Sequence, residues 1–587
     1  MKTILLVGAT GVFGQRLARH LAGFQGIRLL LTSRDPSKAQ AMCRTIEVDG
    51  GAAQLEPLAF EKSAGFAILS AHRPWLVIDA SGPFQQTDLS FPRAVLEGGA
   101  HYLDLADARD YLLGFAELDG VAKARNLVAL AGASSTPALS SAAMAEITRG
   151  WRRIDTVDIA ITPGGKSDVG PAVLEAILSY AGTAVETFRN GQLGHVIAWS
   201  SSSRRAIPAL GHRRVAPVET ADAKLLSAHF GIRSLVRFQA GLESPLEQWG
   251  LTFLAHLRRL GLLRSLVPLA PLLLRARALT KPFTQDRGAM LVEASGLDEA
   301  GRPVVAQWSL LAENGHGPQV PTLPAAAAVR ALLDGGLPAG ARPCVGALSL
   351  DTIEQEMKAY AIRTRQQRTP LPADSVFSRS LGDAYPSLPS PLKAFHDADA
   401  APVWEGRASV EAGTSLPARI IQRLLGLPKA GADVPVRVTV EKTRARPSAP
   451  MIETWCRDFD GRKFRSVLGS TGTGEVTERF GPIRIRLAAA ARDGAVTLPV
   501  SGWSILGIPM PLWLAPRSKA SEAVDHAGRF RFDVRLALPG GALLAHYRGY
   551  LQQAQRGDDT PAGTGWFSRN SEPEFVPAET VCADVSR

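Results

Sequence analysis

Cysteine is scarce in this chain, and the few thiols are arranged in a way that excludes a disulfide-stabilised fold and a zinc site. Four cysteines are spread over 587 residues, and none belongs to a CxxC pair or to a Cys/His cluster with zinc-ligand spacing. Isolated thiols of this kind are typical of a reducing compartment, so the sequence predicts a cytoplasmic protein without a metal centre. The thiols are Cys43, Cys344, Cys456 and Cys582.

Several catalytic signatures are also missing. None of the 7 tyrosines is followed four residues later by a lysine, which excludes the Tyr–Lys pair used by short-chain dehydrogenases. The chain has no HExxH metalloprotease motif, no GxSxG nucleophile elbow and no second phosphate-binding loop. Its net charge of +11 comes from scattered basic residues and short arginine pairs without interleaved aromatic residues, so nucleic acid is not an expected partner.

Apolar runs suited to crossing a membrane are absent as well. Residues 494–516 carry no charge, but prolines and glycines at that density break a helix. Residues 251–279 are rich in leucine but contain five arginines, which favours one of two surface arrangements. One is an amphipathic segment on the inner membrane surface, and the other is a helical pair packed on its own domain or on a second subunit of a homodimer. The apolar run 4–7 is too short for a secretory signal.

The strongest positive signal is a glycine-rich turn near the N-terminus. A strand-like run at 3–7 ends in GATGVFG, and a helical apolar pattern follows. In this context Gly8 permits a tight turn, Gly11 allows close approach of a pyrophosphate, and Gly14 allows close packing of helix on strand. The helix N-terminus offers free N–H groups to the phosphates. We therefore predict cofactor contacts at Gly8, Ala9, Thr10, Gly11, Val12, Phe13 and Gly14.

The end of the second predicted strand, 28–32, indicates which dinucleotide is bound. NAD-selective sites usually carry an acidic residue here for the ribose 2′-hydroxyl, whereas this strand runs into Ser33 and Arg34. Because a guanidinium pairs well with a phosphate, NADP(H) is expected in preference to NAD(H). Asp35 weakens this interpretation unless it caps the helix that begins at Pro36.

Strand-like and helical patterns alternate as far as residue 150, which predicts a parallel Rossmann sheet with right-handed crossovers. Ligands of such sheets bind beyond the C-terminal ends of the strands. After the strand at 76–80, this rule adds Ser81, Gly82 and Pro83 to the predicted cofactor contacts. After the strand at 101–105, it draws attention to Asp104 and Asp107.

These motifs together resemble the NADP-binding oxidoreductases of the saccharopine dehydrogenase-like family, over about residues 1–365. The segments that carry the resemblance are VGATGVFG (7–14), TSRDPSKA (32–39), VIDASGPF (77–84), GGAHYLDLAD (98–107), DRGAMLVEASGLDEAGRPV (286–304) and GHGPQVPTLPA (315–325). The resemblance implies a Rossmann domain, a following α+β domain and NADP-linked reduction. Members of the family act on amino acids, polyamine precursors and lipids, so it does not set the substrate.

The remainder of the chain is predicted to be rich in β-structure. Runs such as 436–441 and 529–536 alternate or are β-branched, with one short helix at 416–425, which indicates an antiparallel, strongly bent sheet or barrel. Residues from about 374 to 551 resemble an uncharacterised bacterial domain of unknown function, through ETWCRDFDGRKFRS (453–466) and HYRGYL (546–551). The apolar loop 503–513 is either part of a ligand pocket, a membrane contact or ordinary core.

The predicted domain organisation follows from these patterns. Residues 1–150 form the Rossmann domain, with 321–360 packing back on it, and 151–320 form an α+β domain for substrate binding or dimerisation. Residues 361–374 are polar and basic and contain proline, which predicts a linker. The β-rich domain occupies 375–553, and 554–587 form a polar tail.

Hydride transfer also requires a proton donor where charge develops. Asp104 and Asp107 lie at or beyond a strand end near the expected nicotinamide, and His316 lies in a glycine-rich loop between domains. Each has a structural alternative, namely a carboxylate that caps a helix or a histidine bonded to backbone.

The sequence predicts an NADP(H)-dependent oxidoreductase that acts on a hydrophobic small molecule, for example an acyl lipid. A non-catalytic NADP-sensing or lipid-binding protein is the alternative, since no clear acid–base pair is visible. An amino-acid or polyamine dehydrogenase is the weaker alternative, because it requires acidic or paired basic pocket residues that the sequence does not reveal.

Overall fold

The structure is a computed structural model, and it describes all residues except 63–64, 86, 168–169, 190, 372–374, 398–402, 445–448, 473 and 555–587. The chain divides into two compact units, Met1–Leu371 and Pro372–Arg587. Within the described ranges, no helix is long and apolar enough to cross a membrane.

The first unit alternates strands and helices. Its strands are β1 (Lys2–Val7), β2 (Ile27–Ser33), β3 (Gln54–Ala59), β4 (Leu76–Asp79), β5 (His101–Asp104), β6 (Val128–Ala131), β7 (Arg153–Thr162), β8 (Ala184–Arg189), β9 (Gln192–Ile197), β10 (Ser203–Ile207), β11 (Gly211–Pro217), β12 (Leu235–Ala240), β13 (Gly288–Leu297), β14 (Pro303–Ala312), β15 (Gly340–Pro343) and β16 (Ile362–Pro370). Its α-helices are α1 (Gly14–Ala22), α2 (Pro36–Val48), α3 (Gly65–His72), α4 (Ser90–Glu97), α5 (Arg109–Gly114), α6 (Asp119–Ala124), α7 (Ser140–Ile147), α8 (Pro171–Tyr180), α9 (Asp222–Phe230), α10 (Pro245–Arg259), α11 (Ala270–Thr280), α12 (Leu323–Leu333) and α13 (Leu350–Met357).

In the described part of the chain, seven strands form a parallel sheet in the order β15-β6-β5-β4-β1-β2-β3. Its central strands are apolar along most of their length and buried, as expected for a parallel sheet covered on both faces. One face packs against α1 through Leu17 and Leu21, and the other packs against α4 through Leu96. The carboxyl ends of β1, β2 and β4 therefore meet at one edge, where the glycine-rich turn lies.

The second sheet is mixed, with nine described strands. Its main path is β10-β11-β12-β7-β13-β14-β16, while β8 pairs with β12 and β9 pairs with β8. Helices α7 and α12 contribute Met144 and Ala326 to a core that also contains Leu6 of the first sheet and Trp308 of the second. Because this core is continuous, the two sheets of the first unit are held together by buried apolar side chains.

The prediction of a linker at 361–374 is wrong over most of that range. Ile362–Pro370 forms β16, which pairs antiparallel with β14 along nine residues at the edge of the second sheet. Almost all of its side chains are exposed, and it carries Arg363, Arg365 and Arg368. Charged side chains are usual on an edge strand, where they oppose pairing with other chains, so a polar composition does not distinguish such a strand from a linker. Residues 372–374 lie outside the described residues.

One buried carboxyl of the first unit makes its stability depend on pH. Asp222 begins α9 with no solvent exposure, and burial raises its pKa to about 7. The folded protein therefore keeps a proton that the unfolded chain releases near pH 4, so the free energy of unfolding falls as the pH rises from about 4 to about 7. We expect Asp222→Asn to be more stable than the wild type by about 1–2 kcal/mol at pH 5 and by about 4 kcal/mol at pH 8.

Urea denaturation at the two pH values measures this difference. Asp49→Asn, which neutralises an exposed carboxylate, is the matched control and is expected to change neither value. Equal stability of Asp222→Asn and the wild type at pH 8 would contradict the assignment.

The second unit is built around one antiparallel sheet. Its strands are β17 (Val403–Ala412), β18 (Gly431–Arg444), β19 (Met451–Phe459), β20 (Arg462–Gly472), β21 (Glu475–Phe480), β22 (Ile483–Ala488), β23 (Ala490–Arg492), β24 (Ala495–Thr497), β25 (Val500–Ile505), β26 (Ile508–Met510), β27 (Arg517–Val524), β28 (Phe530–Ala537) and β29 (Leu543–Gln553). Its helices are α14 (Val376–Leu381), α15 (Ser390–Asp397) and α16 (Leu416–Leu425). The order of the described strands is β23-β24-β27-β28-β29-β17-β18-β19-β20-β21-β22-β25-β26, and β25 near one end contacts β27 near the other, so the sheet curls.

The interior of the curled sheet is aromatic and apolar. Phe377 of α14 and Phe395 of α15 pack with Trp404, Trp455 and Phe530 of the strands. These observations confirm the predicted fold class, a Rossmann-type region with an α+β region and a β-rich antiparallel C-terminal domain. The short helix predicted at 416–425 is confirmed as α16, whereas α14 and α15 were not expected. The predicted polar tail, from residue 555 onward, lies outside the described residues.

Candidate functional site

The glycine-rich turn joins β1 to α1 in a conformation that side chains would obstruct. Gly8 has φ +72°, and a Cβ there would lie 2.8 Å from the Cβ of Ser81. A Cβ on Gly14 would lie 2.1 Å from the carbonyl oxygen of Gly8, so the first turn of α1 packs directly on the loop. The Gly11 N–H donates to the Gly8 carbonyl at 3.0 Å and closes the turn. The backbone is thereby shaped for close approach of a ligand to the start of α1.

The end of β2 closes one side of this turn. The Thr10 hydroxyl donates to Ser33 Oγ at 3.4 Å, and the Gly8 N–H donates to Thr32 Oγ1 at 3.2 Å. Asp35 Oδ1 accepts hydrogen bonds from the N–H and the hydroxyl of Ser37, and Asp35 is the N-cap of α2. The alternative raised for this residue is therefore observed, since its carboxylate is engaged by the helix. Arg34 is exposed beside it.

The end of β4 closes the other side. Asp79 is buried, and its Oδ1 accepts hydrogen bonds from the N–H and the hydroxyl of Ser81. Its Oδ2 pairs with Lys62 Nζ at 2.7 Å. Lys62 lines the same space as Ser81, and no sequence signal indicated it because it follows β3 rather than a glycine motif.

A cavity of about 1720 Å³ extends from the glycine-rich turn. One wall consists of the carboxyl ends of β1, β2 and β4, and the opposite wall includes the end of β7, the start of β13 and the end of β14. The volume exceeds the roughly 300–1,000 Å³ of an ordinary small-molecule pocket, so it offers room for a dinucleotide together with a substrate.

Most of the predicted cofactor contacts line this cavity. The lining residues among them are Gly8, Thr10, Gly11, Val12, Phe13, Ser33, Arg34, Ser81, Gly82 and Pro83. Ala9 and Gly14 do not line it. Ala9 is fully buried, and Gly14 packs on the Gly8 carbonyl, so both shape the loop from behind.

Asp104 lies outside the cavity lining and is fully buried. Its Oδ1 accepts hydrogen bonds from the N–H groups of Gly132 at 2.7 Å and Ala106 at 3.0 Å, and its Oδ2 accepts from the Tyr111 hydroxyl at 2.8 Å. Burial raises the pKa of this carboxyl to about 7, against the opposing effect of those donors. The contacts are those of a residue that ties β5 to the loop after β6.

His316 also lies apart from the cavity. Its Nδ1 accepts a hydrogen bond from the Ala361 N–H at 3.0 Å, and its ring packs edge-on against Tyr360. It borders a small separate depression together with Gln15 and Arg19. The contact to Ala361 is the backbone contact given above as the structural alternative.

Asp107 is the one predicted proton donor that lines the cavity. Its side chain is exposed to the cavity space, and Gln85 Nε2 donates to its Oδ1 at 3.2 Å. The cavity walls around Asp107 raise the pKa of its carboxyl above the ordinary value, since desolvation outweighs the hydrogen bond. Raised pKa values of this kind are frequent at catalytic positions.

Two further ionisable residues of the cavity wall were not found from the sequence. Tyr180, at the end of α8, has a raised pKa because it is enclosed and because the negative charge of Asp107 acts on it. Burial also raises the pKa of Glu219, which follows β11, although Arg109 Nη1 lies 3.1 Å from Glu219 Oε1. Both come from the α+β region, and only the packing of that region on the first sheet brings them towards Asp107.

The far part of the cavity, here called the apolar arm, is lined almost entirely by aliphatic and aromatic side chains. Helices α8, α10 and α11 form it, and the ion pair between Arg277 and Glu247, 2.9 Å long, links α11 to α10 beside it. Its lining includes Leu174, Ile177, Phe238, Leu242, Leu251, Leu254, Leu273 and Leu274.

Comparisons with known proteins agree with this division of the chain. Residues 4–138 match the family model of the saccharopine dehydrogenase NADP-binding domain, and residues 388–551 match the model of a domain of unknown function, DUF4166. No match to the chain was found among curated proteins.

Solved structures resemble part of the chain at low sequence identity. Apo saccharopine dehydrogenase (L-Glu forming) from Saccharomyces cerevisiae is 13% identical with a TM-score of 0.46, covering 63% of this chain and 100% of that one. An amine dehydrogenase from Mycobacterium smegmatis is 13% identical with a TM-score of 0.30, covering 59% of this chain and 96% of that one. GenD2 from gentamicin A biosynthesis, in complex with NAD, is 12% identical with a TM-score of 0.30, covering 63% and 97%.

The family matches confirm both resemblances seen in the sequence. They fall on the Rossmann sheet with its glycine-rich turn and on the curled antiparallel sheet. The N-terminal part of this chain is therefore similar to the NADP-binding domain of saccharopine dehydrogenase, a domain of the oxidoreductase class, and its C-terminal part is similar to DUF4166.

Proposed function

We propose that this protein is an NADP(H)-dependent oxidoreductase whose substrate is a hydrophobic small molecule with an acyl chain. The observation that carries the proposal is the continuous cavity that begins at the glycine-rich turn and extends into the apolar arm. A dinucleotide on the turn and an extended apolar molecule in the arm would meet between the two sheets. Asp107 and Tyr180 also contribute to the wall of this cavity.

The preference for NADP(H) is supported by the charge at the end of β2. Arg34 and Lys38 both line the cavity and are exposed to it, whereas the carboxylate of Asp35 is occupied by Ser37. Two cations beside a carboxylate that already accepts two hydrogen bonds from Ser37 favour a 2′-phosphate over a 2′-hydroxyl.

Arg34→Ser is expected to weaken NADPH binding by about 10-fold to 100-fold and to leave NADH binding unchanged. The reason is that a charge-assisted bond to a phosphate contributes about 1.5–3 kcal/mol, which is lost only for the phosphorylated cofactor. Fluorescence titration of the nicotinamide measures both affinities. Arg44→Ser removes an exposed arginine of α2 that does not line the cavity, and should change neither. Equal losses for NADPH and NADH would contradict a contact with the 2′-phosphate.

The proposed chemistry divides between cofactor and protein. A bound nicotinamide supplies or accepts the hydride. Asp107 is proposed as the group that gives or takes the accompanying proton, because desolvation by the cavity walls keeps its carboxyl protonated at a higher pH than an ordinary surface aspartate. Gln85 holds Asp107 in place, and Tyr180 lies in the same wall. The turn excludes side chains from the space a pyrophosphate needs.

The substrate class is tested by following NADPH oxidation with 2-enoyl thioesters of increasing chain length. Each methylene group buried in the apolar arm should raise kcat/KM about fourfold, since its burial is worth about 0.8 kcal/mol, until the arm is full. A rate of NADPH consumption that does not depend on chain length would contradict binding of the substrate's acyl chain in the apolar arm. NADPH binding without consumption in the presence of any compound would favour the alternative of a cofactor sensor.

A second candidate, reduction or oxidation of an amino compound, is favoured by one observation. Asp107 and Glu219 both line the cavity, and a substrate ammonium or imine would find two carboxyl groups there. The acidic pocket residues that this alternative requires were not visible in the sequence. Amino acids and polyamines should be included in the same substrate screen. Turnover of these compounds alone would favour an amino substrate instead of an acyl substrate.

A further inference from the structure

Helix α10 is apolar on two opposite faces. Its inner face contributes Leu251 and Ala255 to a buried core. Its outer face carries Leu246, Trp249, Phe253 and Leu260, which follow at intervals of three, four and seven residues and are between 56% and 72% exposed. A helix with apolar residues on both sides normally contacts a partner on both sides.

Helix α11 continues the exposed surface. Leu272 and Leu279 are seven residues apart, and Phe283 follows four residues later with 91% of its surface exposed. The bond between Arg277 and Glu247 places the end of α11 beside the start of α10. We call these seven exposed apolar residues, which lie on the two helices or just after them, the α10–α11 face. A group of this size is larger than the scattered apolar residues of an ordinary surface.

The exposed charges of the segment that carries the α10–α11 face have one sign, since its one acidic residue, Glu247, is partly buried and paired with Arg277. Residues 248–285 contain no aspartate and no glutamate, but they contain five arginines and one lysine. Arg259, Arg264 and Arg275 are exposed. A second copy of the chain docked symmetrically through the same face would bring like charges together, which disfavours a homodimer as the occupant. An acidic surface complements the face.

We propose that the α10–α11 face docks on a bilayer that contains acidic phospholipids, with the apolar side chains in the boundary between headgroups and acyl chains and the arginines on the phosphates. Apolar residues on one side with cations around them are the composition of helices that lie in this boundary. The proposed contact is peripheral, because it uses one face of two helices and leaves both outside the acyl interior.

The docked arrangement would connect the bilayer to the cavity. Leu246, Phe253 and Leu279 belong to the α10–α11 face and also line the apolar arm, so the arm opens on that face. A lipid substrate would then enter the arm from the bilayer without crossing water. This last step rests on the proposed function, whereas the docking itself does not.

Sedimentation of the full chain with vesicles tests the docking. We expect binding to vesicles that contain equal parts of phosphatidylcholine and phosphatidylglycerol, much weaker binding to phosphatidylcholine alone, and weakening by salt. The double variant Leu260→Glu/Leu272→Glu should lose about tenfold or more in affinity for the acidic vesicles, because two apolar contacts with the bilayer are replaced by charges. Both residues are exposed and neither lines the cavity.

The matched control is Val48→Glu/Leu193→Glu, which adds the same charges at two exposed apolar residues elsewhere in the first unit and should bind vesicles like the wild type. The triple variant Arg259→Gln/Arg264→Gln/Arg275→Gln should lose the preference for acidic vesicles. Equal binding to both vesicle types by the wild type, or undiminished binding by Leu260→Glu/Leu272→Glu, would overturn the proposal. Dimerisation that the same double variant abolishes, without vesicle binding, would assign the face to a second copy instead.

NADPH titration of the same variants separates this proposal from the proposed function. Leu260→Glu/Leu272→Glu should bind NADPH like the wild type while losing the vesicles. If the wild type binds vesicles but does not bind NADPH, the docking stands and the proposed function fails. If it binds and consumes NADPH but ignores acidic vesicles, the docking fails alone.

Discussion

Gly11→Asp is expected to lower the affinity for NADPH by at least about 100-fold. Gly11 lines the cavity at the start of α1, and a Cβ there would lie 3.2 Å from the Gly8 carbonyl oxygen, which already accepts the Gly11 N–H. The substitution would crowd this turn and place a carboxylate beside the predicted position of the pyrophosphate. Two like charges at close range in a partly enclosed site cost several kcal/mol, and about 3 kcal/mol corresponds to the stated loss.

Gly120→Asp is the matched control for this substitution. Gly120 is exposed on α6 and lies outside the cavity, and a Cβ there would meet no other atom within 4 Å, so the same change in charge should leave NADPH binding intact. Thermal unfolding of both variants checks that Gly11→Asp remains folded. A folded Gly11→Asp protein that binds NADPH as the wild type does would show that the dinucleotide does not lie on the turn.

Asp107→Asn is expected to reduce turnover by about 100-fold to 10,000-fold while leaving NADPH affinity unchanged, because a positioned proton donor contributes that much to a rate. The pH profile distinguishes this role from a structural one. Desolvation by the cavity walls raises the pKa of Asp107, so the carboxyl is protonated below that raised value and loses its proton above it. In the direction of NADPH oxidation the wild-type rate should fall as the pH rises through this pKa, and the variant should lack that fall.

The control for Asp107 is its near neighbour Asp110. Asp110 is exposed, pairs with Arg109 and does not line the cavity, so Asp110→Asn should keep the wild-type rate and pH profile. An Asp107→Asn enzyme that keeps the descending limb of the profile would assign the proton transfer elsewhere, with Tyr180 as the next residue to replace by phenylalanine.

The glycine-rich turn was predictable because its requirements are local. Gly8 has a positive φ, Gly11 and Gly14 lie against the Gly8 carbonyl, and the adjacent strand and helix have clear apolar periodicities. The same holds for Asp35, whose position before Pro36 indicated the helix cap that the structure contains. Residues whose role is set by sequence neighbours can be recognised from the sequence.

The candidate proton donors could not be told apart in the same way. Asp104 ends β5 and Asp107 follows it closely, yet the carboxyl of Asp104 is held inside the domain by Tyr111 and two N–H groups, whereas that of Asp107 faces the cavity. That difference depends on the loop after β6, which is distant in the chain. Tyr180 and Glu219 reach the cavity only through the packing of the α+β region, and no spacing in the sequence relates them to the glycine-rich turn.

The edge strand β16 was missed for a related reason. Its composition is that of a solvated segment, and only its ten-residue neighbour β14 identifies it as part of a sheet. Pairing partners far apart in sequence decide such cases, because an edge strand has few buried side chains to reveal its period.

Binding of NADP(H) by the glycine-rich turn and Arg34 is the inference on which the proposed function depends. It is tested by titration of the purified full chain with NADPH and, separately, with NADH, followed by nicotinamide fluorescence. We expect saturable NADPH binding that is at least about 10-fold tighter than NADH binding, because a contact between Arg34 and the 2′-phosphate contributes at least that factor to the affinity. Absence of binding by either cofactor, or equal affinity for both, would refute the inference.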